Sequence, residues 1–97
     1  MYKINNTINS IEYKGLKAGK LLDINAKEIL SISLEKGTVL PKHASPTDAN
    51  LLVLEGTISF FIKGIKYNLL KHQIFNFPKD EEHWVEANEN SKFLIIR

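Results

Sequence analysis

The stretch that decides the fold is Asn50-Leu-Leu-Val-Leu-Glu-Gly-Thr-Ile-Ser-Phe-Phe-Ile-Lys-Gly-Ile-Lys-Tyr-Asn-Leu69. Residues 51–54 are all apolar, as expected of a strand that is covered on both faces, and a glycine follows shortly after them. Period-two alternation then places Ile58, Phe60 and Ile62 on one face. The pair Lys63-Gly64 is typical of a two-residue β-hairpin turn. The stretch therefore predicts three short strands joined by tight turns.

The residues on either side extend this pattern. Residues 28–35 alternate in the manner of a half-buried strand, and three more short strands are predicted at residues 74–77, 83–87 and 93–96, separated by polar turns. The first twenty residues fit one or two edge strands. No segment carries a helical stripe. Short strands at even spacing, with no helical crossovers, predict an all-β antiparallel sandwich or barrel.

Length and composition predict one globular domain. A chain of 97 residues supports a single hydrophobic core, and 43% hydrophobic with 25% charged residues is ordinary for a packed fold. The chain contains no cysteine, which excludes disulfides, thiolate zinc sites and cysteine nucleophiles. Any metal would therefore need His, Asp or Glu ligands.

The charge pattern argues against nucleic acid as a partner. The net charge is only +2, the lysines are interleaved with carboxylates, and Arg97 is the single arginine. No apolar run is long enough for a signal-peptide core or a membrane span. We therefore expect a cytoplasmic protein that binds neither nucleic acid nor a membrane.

Two segments carry a resemblance to a known family. The run from Gly37 to Gly56 resembles the first motif of the cupin superfamily, in which a histidine stands where His43 does. Residues 78–83 resemble the second motif, whose histidine corresponds to His83. The chain thus looks like a small single-domain bacterial cupin over residues 1–97, with the motifs in about 35–97 and edge strands in about 1–34. The resemblance implies a cupin-type antiparallel β-barrel, a double-stranded sandwich of jelly-roll type.

The resemblance also implies a degenerate metal site. In that family two histidines and a carboxylate of the first motif, with one histidine of the second, hold a divalent metal. Here only His43 and His83 match, because Ser45 and Ala49 stand at the other two ligand positions. Two imidazoles alone would bind zinc, nickel or iron weakly, so no tightly held cofactor is expected.

A third ligand would change this interpretation. Asp48, Glu81 and Glu82 are the carboxylates nearest the two histidines in sequence. Strand alternation argues against Asp48, which would point away from the face of Ala49 unless a loop or bulge turned it inward. The alternative is that both histidines are neutral, hydrogen-bonded residues of the pocket.

Small residues at two ligand positions predict a roomy and mostly apolar pocket, unless neighbouring side chains collapse into the space. The expected lining is His43, Ser45, Ala49, Phe60, Phe75, His83 and Val85. One hypothesis is a binding or sensor module for an unknown small molecule. The alternative, implied by the resemblance, is a metal-dependent isomerase or dioxygenase that uses His43 and His83 plus a carboxylate. An interaction module for another protein is a third hypothesis.

Four large apolar residues alternate against the pocket positions and should face outward: Leu52, Leu54, Phe61 and Trp84. Either the rest of the chain covers them, or a second copy does. The second interpretation predicts a homodimer anchored by Trp84.

Overall fold

The computed structural model describes all 97 residues as nine β-strands and one single-turn helix. The elements are α1 Thr7–Ser10, β1 Leu16–Ile24, β2 Lys27–Leu34, β3 Val39–His43, β4 Ala49–Glu55, β5 Ile58–Ile62, β6 Ile65–Leu69, β7 Ile74–Phe77, β8 His83–Ala87 and β9 Ser91–Ile96. They form a five-stranded sheet of order β1-β2-β9-β4-β7 and a four-stranded sheet of order β3-β8-β5-β6. Every pairing is antiparallel, so the predicted all-β antiparallel class is confirmed.

The hydrophobic core lies between the two sheets. Its centre is occupied by Phe60 of β5, Phe77 of β7 and Phe93 of β9, each almost completely buried. Smaller aliphatic residues at alternate positions of the same strands surround these rings. Period-two alternation thus turns one side of each strand into the core, and residues 51–54 and 58–62 form strands as expected.

The N-terminal residues differ most from expectation. Residues 7–10 form one helical turn, and β1 is the only strand before β2. Strand β2 was expected to be half-buried, which is wrong, because Ser31 and Ser33 are as buried as Ile32. The Ser33 hydroxyl donates to the Glu12 carbonyl at 3.3 Å, so the N-terminal segment covers the outward side of β2. The single helix, with four residues, is too short to span a membrane.

Specific polar contacts fasten this N-terminal segment to the five-stranded sheet. The buried ammonium of Lys92 on β9 donates to the Ile8 carbonyl at 2.7 Å and lies 4.9 Å from the centre of the Tyr13 ring. The Tyr13 hydroxyl donates to the carboxylate of Glu55. Burial, followed by this hydrogen bond, raises the pKa of Tyr13 to about 12. The segment is therefore an integral layer of the fold.

Two tight turns depend on glycine. Lys63 and Gly64 both have positive φ, at 52° and 71°, which is the geometry of the predicted two-residue hairpin between β5 and β6. Gly56, with φ at 78°, lies against the backbone of the β8–β9 turn. A Cβ atom at Gly56 would overlap the Asn90 carbonyl oxygen and the Ser91 hydroxyl. The same atom at Gly64 would meet open space.

We therefore expect Gly56→Ala to destabilise the protein much more than Gly64→Ala. Both substitutions force alanine into the left-handed region, at a cost of about 1–2 kcal/mol. Only Gly56→Ala also requires the turn to shift, which adds roughly 1–3 kcal/mol. Urea denaturation of both variants measures the difference. Equal losses would show that the close approach at Gly56 is relieved without cost.

Candidate functional site

A cavity of about 210 Å³ lies between the sheets at the end where β3 meets β8. Ten of its fourteen lining residues are hydrophobic, so its wall is mainly apolar. The lining residues are Ala18, Leu30, Ile32, Leu40, His43, Ser45, Leu51, Phe60, Phe77, His83, Val85, Phe93, Ile95 and Arg97. Neighbouring side chains have therefore not collapsed to fill the space.

His43 and His83 meet at this cavity although forty positions separate them in the chain. His43 is the last residue of β3, His83 is the first of β8, and the two are direct partners in the antiparallel pairing. Their ring centroids are 4.4 Å apart, with an angle of 62° between the planes. His83 is buried, whereas His43 is exposed at the mouth. Residues of the two resembled motifs are thus joined by strand pairing.

The hydrogen bonds of both rings assign their tautomers. Nδ1 of His43 lies 2.7 Å from the Pro41 carbonyl oxygen, and Nδ1 of His83 lies 3.0 Å from that of Glu81. A carbonyl oxygen can only accept, so in the neutral ring each Nδ1 carries the proton. Each Nε2 is then an acceptor with a free lone pair. The pair presents two such acceptors from one wall.

The surroundings of His83 favour its neutral form. Burial is the largest effect and lowers the pKa of His83 below its ordinary value. The hydrogen bond to the Glu81 carbonyl acts in the opposite direction, and the neighbouring His43 adds a smaller lowering. The ring stacks on Phe60 at 5.1 Å between centroids and contacts Phe77 at 4.6 Å. His83 is therefore an uncharged hydrogen-bonding group at neutral pH.

No carboxylate completes a metal site beside the two histidines. The chain contains no group of three or more His, Asp or Glu side chains placed to hold an ion. Asp48 instead accepts from the Lys79 backbone N–H at 3.0 Å. Glu81 pairs with Lys63 at 3.4 Å. Glu81 and Glu82 both line a separate groove on the protein surface. The donor set does not suit a tightly held divalent metal.

Ser45 lies at the cavity but its hydroxyl is already engaged. The Ser45 Oγ donates to the Thr47 carbonyl at 2.6 Å and accepts from the Thr47 N–H at 3.3 Å. This local turn closes the loop before β4 and buries the side chain. Ser45 therefore shapes the cavity rather than offering a strong polar contact.

Two residues expected in the pocket do not line it. Ala49 is completely buried, and Phe77, its partner on β7, occupies the lining position with a far larger side chain. Phe75 packs between Phe60 and Tyr67, with centroids 4.8 and 4.9 Å away, and lines a separate surface pocket. Ala49 and Phe75 thus lie outside this cavity, whereas Phe60 and Val85 lie on its wall.

Sequence reasoning missed the one charged residue of the lining. Arg97 follows β9, and its Nε donates to the Glu28 carboxylate at 2.6 Å. The signal was present, because positions 93, 95 and 97 share one side of a strand by period two.

The outward apolar residues lie on two different surfaces. Leu52 and Leu54 belong to β4 in the five-stranded sheet, where Leu54 and Ile8 line the same shallow groove. Phe61 and Trp84 stack face to face on the four-stranded sheet, with centroids 3.8 Å apart and planes 4° from parallel. All four are half-buried. A single flat interface therefore could not cover them all.

Comparison with solved structures supports the architecture. A conserved protein of unknown function from Streptococcus pyogenes is 24% identical, with a TM-score of 0.83 over 99% of this chain and 86% of that one. A cupin superfamily protein from Desulfitobacterium hafniense is 17% identical, with a TM-score of 0.85 over 99% and 90% of the two chains. A cupin 2 conserved barrel domain protein from Leptotrichia buccalis is 27% identical, with a TM-score of 0.82 over 91% of this chain and 44% of that one.

No protein-family model matches the sequence, and no curated protein matches it either. The structural similarity covers nearly the whole chain and includes the N-terminal strands that the motifs do not reach. The protein is therefore a small cupin-fold protein, as the resemblance implied.

The position of His83 predicts a pH-dependent stability. Between pH 6.5 and the lowered pKa of His83, the unfolded chain binds more protons than the folded protein. The free energy of unfolding should then fall as the pH drops through this window, by at most about 1.4 kcal/mol per pH unit. Urea denaturation at pH 7.5 and 5.5 measures the loss. His83→Gln should reduce it, whereas His72→Gln, in an exposed turn, should not. Equal losses in all three proteins would contradict this.

Proposed function

We propose that the protein binds one small, mostly apolar molecule in the cavity between its sheets and acts as a binding or sensor module. The observation that carries the proposal is the cavity itself, with ten hydrophobic residues and a paired His43–His83 acceptor on its wall. Binding pockets commonly combine such an apolar wall with a few convergent polar groups.

The size of the cavity limits the ligand. A dry cavity of about 150 Å³ can hold one benzene molecule. At about 210 Å³, this cavity accommodates one ring or a short branched chain with a small substituent. A nucleotide would be too large for this cavity, and a sugar would be too polar for its walls.

The two histidines favour a ligand with a hydrogen-bond donor. Both Nδ1 atoms are occupied by backbone carbonyls, so the two Nε2 lone pairs are what the rings offer. A hydroxyl or amide N–H would satisfy them, whereas a purely apolar ligand would leave both acceptors unpaired. The proposed ligand thus has an apolar body and a donor group.

We expect a bulky residue in the cavity to block binding of benzyl alcohol. Leu40 lines the cavity, while its neighbour Val39 points outward from the same strand. Wild type should bind benzyl alcohol with roughly millimolar affinity or better, as its few heavy atoms permit. Leu40→Trp should weaken binding at least about tenfold, since the indole would fill the space. Val39→Trp is the matched control and should bind normally.

NMR titration that follows the His83 ring signals measures this binding. Equal affinity in Leu40→Trp and wild type would place benzyl alcohol outside the cavity and contradict the proposal. Thermal denaturation of both variants checks that each remains folded.

A metal-dependent isomerase or dioxygenase is the second candidate function. It is favoured by one observation, namely two histidines with backbone-held Nδ1 atoms, an arrangement that metal-ligating histidines also adopt. It lacks the third protein ligand that such catalytic sites use.

Metal titration separates the two candidates. We expect chelator-treated protein to bind zinc, nickel and iron(II) only weakly, because two ligands leave most coordination positions to water. Calorimetric titration at neutral pH measures the affinity, with His83→Ala as the comparison. One tight equivalent that disappears in His83→Ala would show that a carboxylate such as Asp48 or Glu82 moves in, and would favour the enzyme.

A homodimer and a cytoplasmic location belong to the proposal as well. The half-buried Phe61–Trp84 stack and the exposed Ile74 provide apolar surface on both sheets. The lack of cysteine suits a reducing compartment. Light scattering at micromolar concentration should give twice the chain mass of 11.1 kDa. A mass of a single chain would rule out the dimer.

A further inference from the structure

Arg97 carries the only formal charge on the cavity wall. It follows Phe93 and Ile95 in the inward alternation of β9, and the lining contains no Asp, Glu or Lys. The neutral His83 adds no charge. The cavity wall therefore carries one cationic group in mainly apolar surroundings, and its carboxylate partner Glu28 lies outside the lining.

Several contacts hold Arg97 in place. Its backbone N–H donates to the Glu28 carbonyl at 3.0 Å, and its carbonyl accepts from the Glu28 N–H at 2.7 Å. Its Nε donates to Glu28 Oε1 at 2.6 Å, and its side chain is 24% exposed. The guanidinium is thus oriented before any ligand arrives.

The rest of the guanidinium is uncommitted. Of its five N–H donors, only the one on Nε has an acceptor in the protein. The four on the terminal nitrogens form the fork that matches a carboxylate in bidentate geometry. A ligand can therefore use these donors without displacing Glu28.

The Glu28 carboxylate contacts a second cation besides Arg97. Its second oxygen lies 3.5 Å from the ammonium of Lys20, which also pairs with Asp23 at 3.3 Å. The hydrogen bond from Arg97 is the largest effect on Glu28 and lowers its pKa, so the carboxylate stays ionised and keeps holding the guanidinium. The network thus holds two cations and two carboxylates, and the capacity of Arg97 for an anion lies in its unpaired terminal N–H donors.

We infer that the ligand of this cavity is a small hydroxylated monocarboxylate, whose apolar body lies among the hydrophobic walls, whose carboxylate is bound by Arg97 and whose hydroxyl donates to the His43–His83 pair. The inference rests on the proposed function and names its ligand class. No other group in the lining can hold the anion, because the Ser45 hydroxyl is engaged with Thr47 and the imidazole Nε2 atoms of His43 and His83 are acceptors. A single cation on the wall matches a single carboxylate.

Benzoate and benzamide test this inference as a matched pair. They have nearly the same shape, but only benzoate is charged at pH 8. Wild type should bind benzoate at least about tenfold more tightly, as expected of a charge-assisted contact at a largely covered arginine. NMR titration that follows the signals of His83 and the Ile95 methyl groups measures both affinities inside the cavity.

Two variants identify the group responsible. Arg97→Gln should remove the preference by weakening benzoate at least about tenfold, while benzamide changes by less than about twofold. Lys66→Gln is the matched control, because it removes an exposed cation of β6 that does not line the cavity and should keep the preference. Unchanged benzamide binding also shows that Arg97→Gln remains folded.

The outcomes separate this inference from the proposed function. Equal binding of benzoate and benzamide to wild type overturns the monocarboxylate and leaves the binding module standing. A preference that survives in Arg97→Gln overturns the role of Arg97. Benzyl alcohol that binds where benzoate does not also overturns the inference alone. If none of the three compounds binds in the cavity, both the monocarboxylate inference and the proposed binding function are wrong.

Discussion

The packing of Phe60, Phe77 and Phe93 between the two sheets is the interaction on which the rest of the structure depends. The three rings come from three strands, and each is buried by the simple alternation of its own strand. Burial of each ring stabilises the fold by roughly 1.5–3 kcal/mol. The rings fix the separation of the sheets, and smaller side chains such as Ser45 and Val85 then leave space unfilled at one end.

That space has an energetic cost that the sequence does not avoid. A sealed, empty cavity of about 210 Å³ would cost about 5 kcal/mol at ~24 cal/mol per Å³, which rivals the whole stability of a small domain. The exposed position of His43 keeps the cavity open at its mouth, so water can enter and reduce this cost. An apolar ligand that displaces such water would bind only the folded state and stabilise it.

Strand alternation and turn chemistry allowed much of this to be predicted. The hairpin at Lys63-Gly64 and the meeting of His43 with His83 follow from local pattern and motif register. The N-terminal layer did not, because what covers Ser31 and Ser33 depends on a distant segment that has no periodic signal. The positions of Ala49 and Phe75 outside the cavity could not be predicted for a related reason. Alternation tells which side a residue faces, but not which of several inward residues reaches a given cavity.

The chemistry of the cavity is divided between its two walls. The four-stranded sheet supplies His43 and His83, which belong to the motif segments, whereas the five-stranded sheet supplies Arg97. Arg97 is oriented by Glu28 of β2, and β2 lies outside those motifs. The polar groups of only one wall of the cavity therefore come from motif residues. The charge that selects a ligand is set by the pairing of β2 with β9, and a chain with the same motifs but another residue at position 28 would hold that arginine differently.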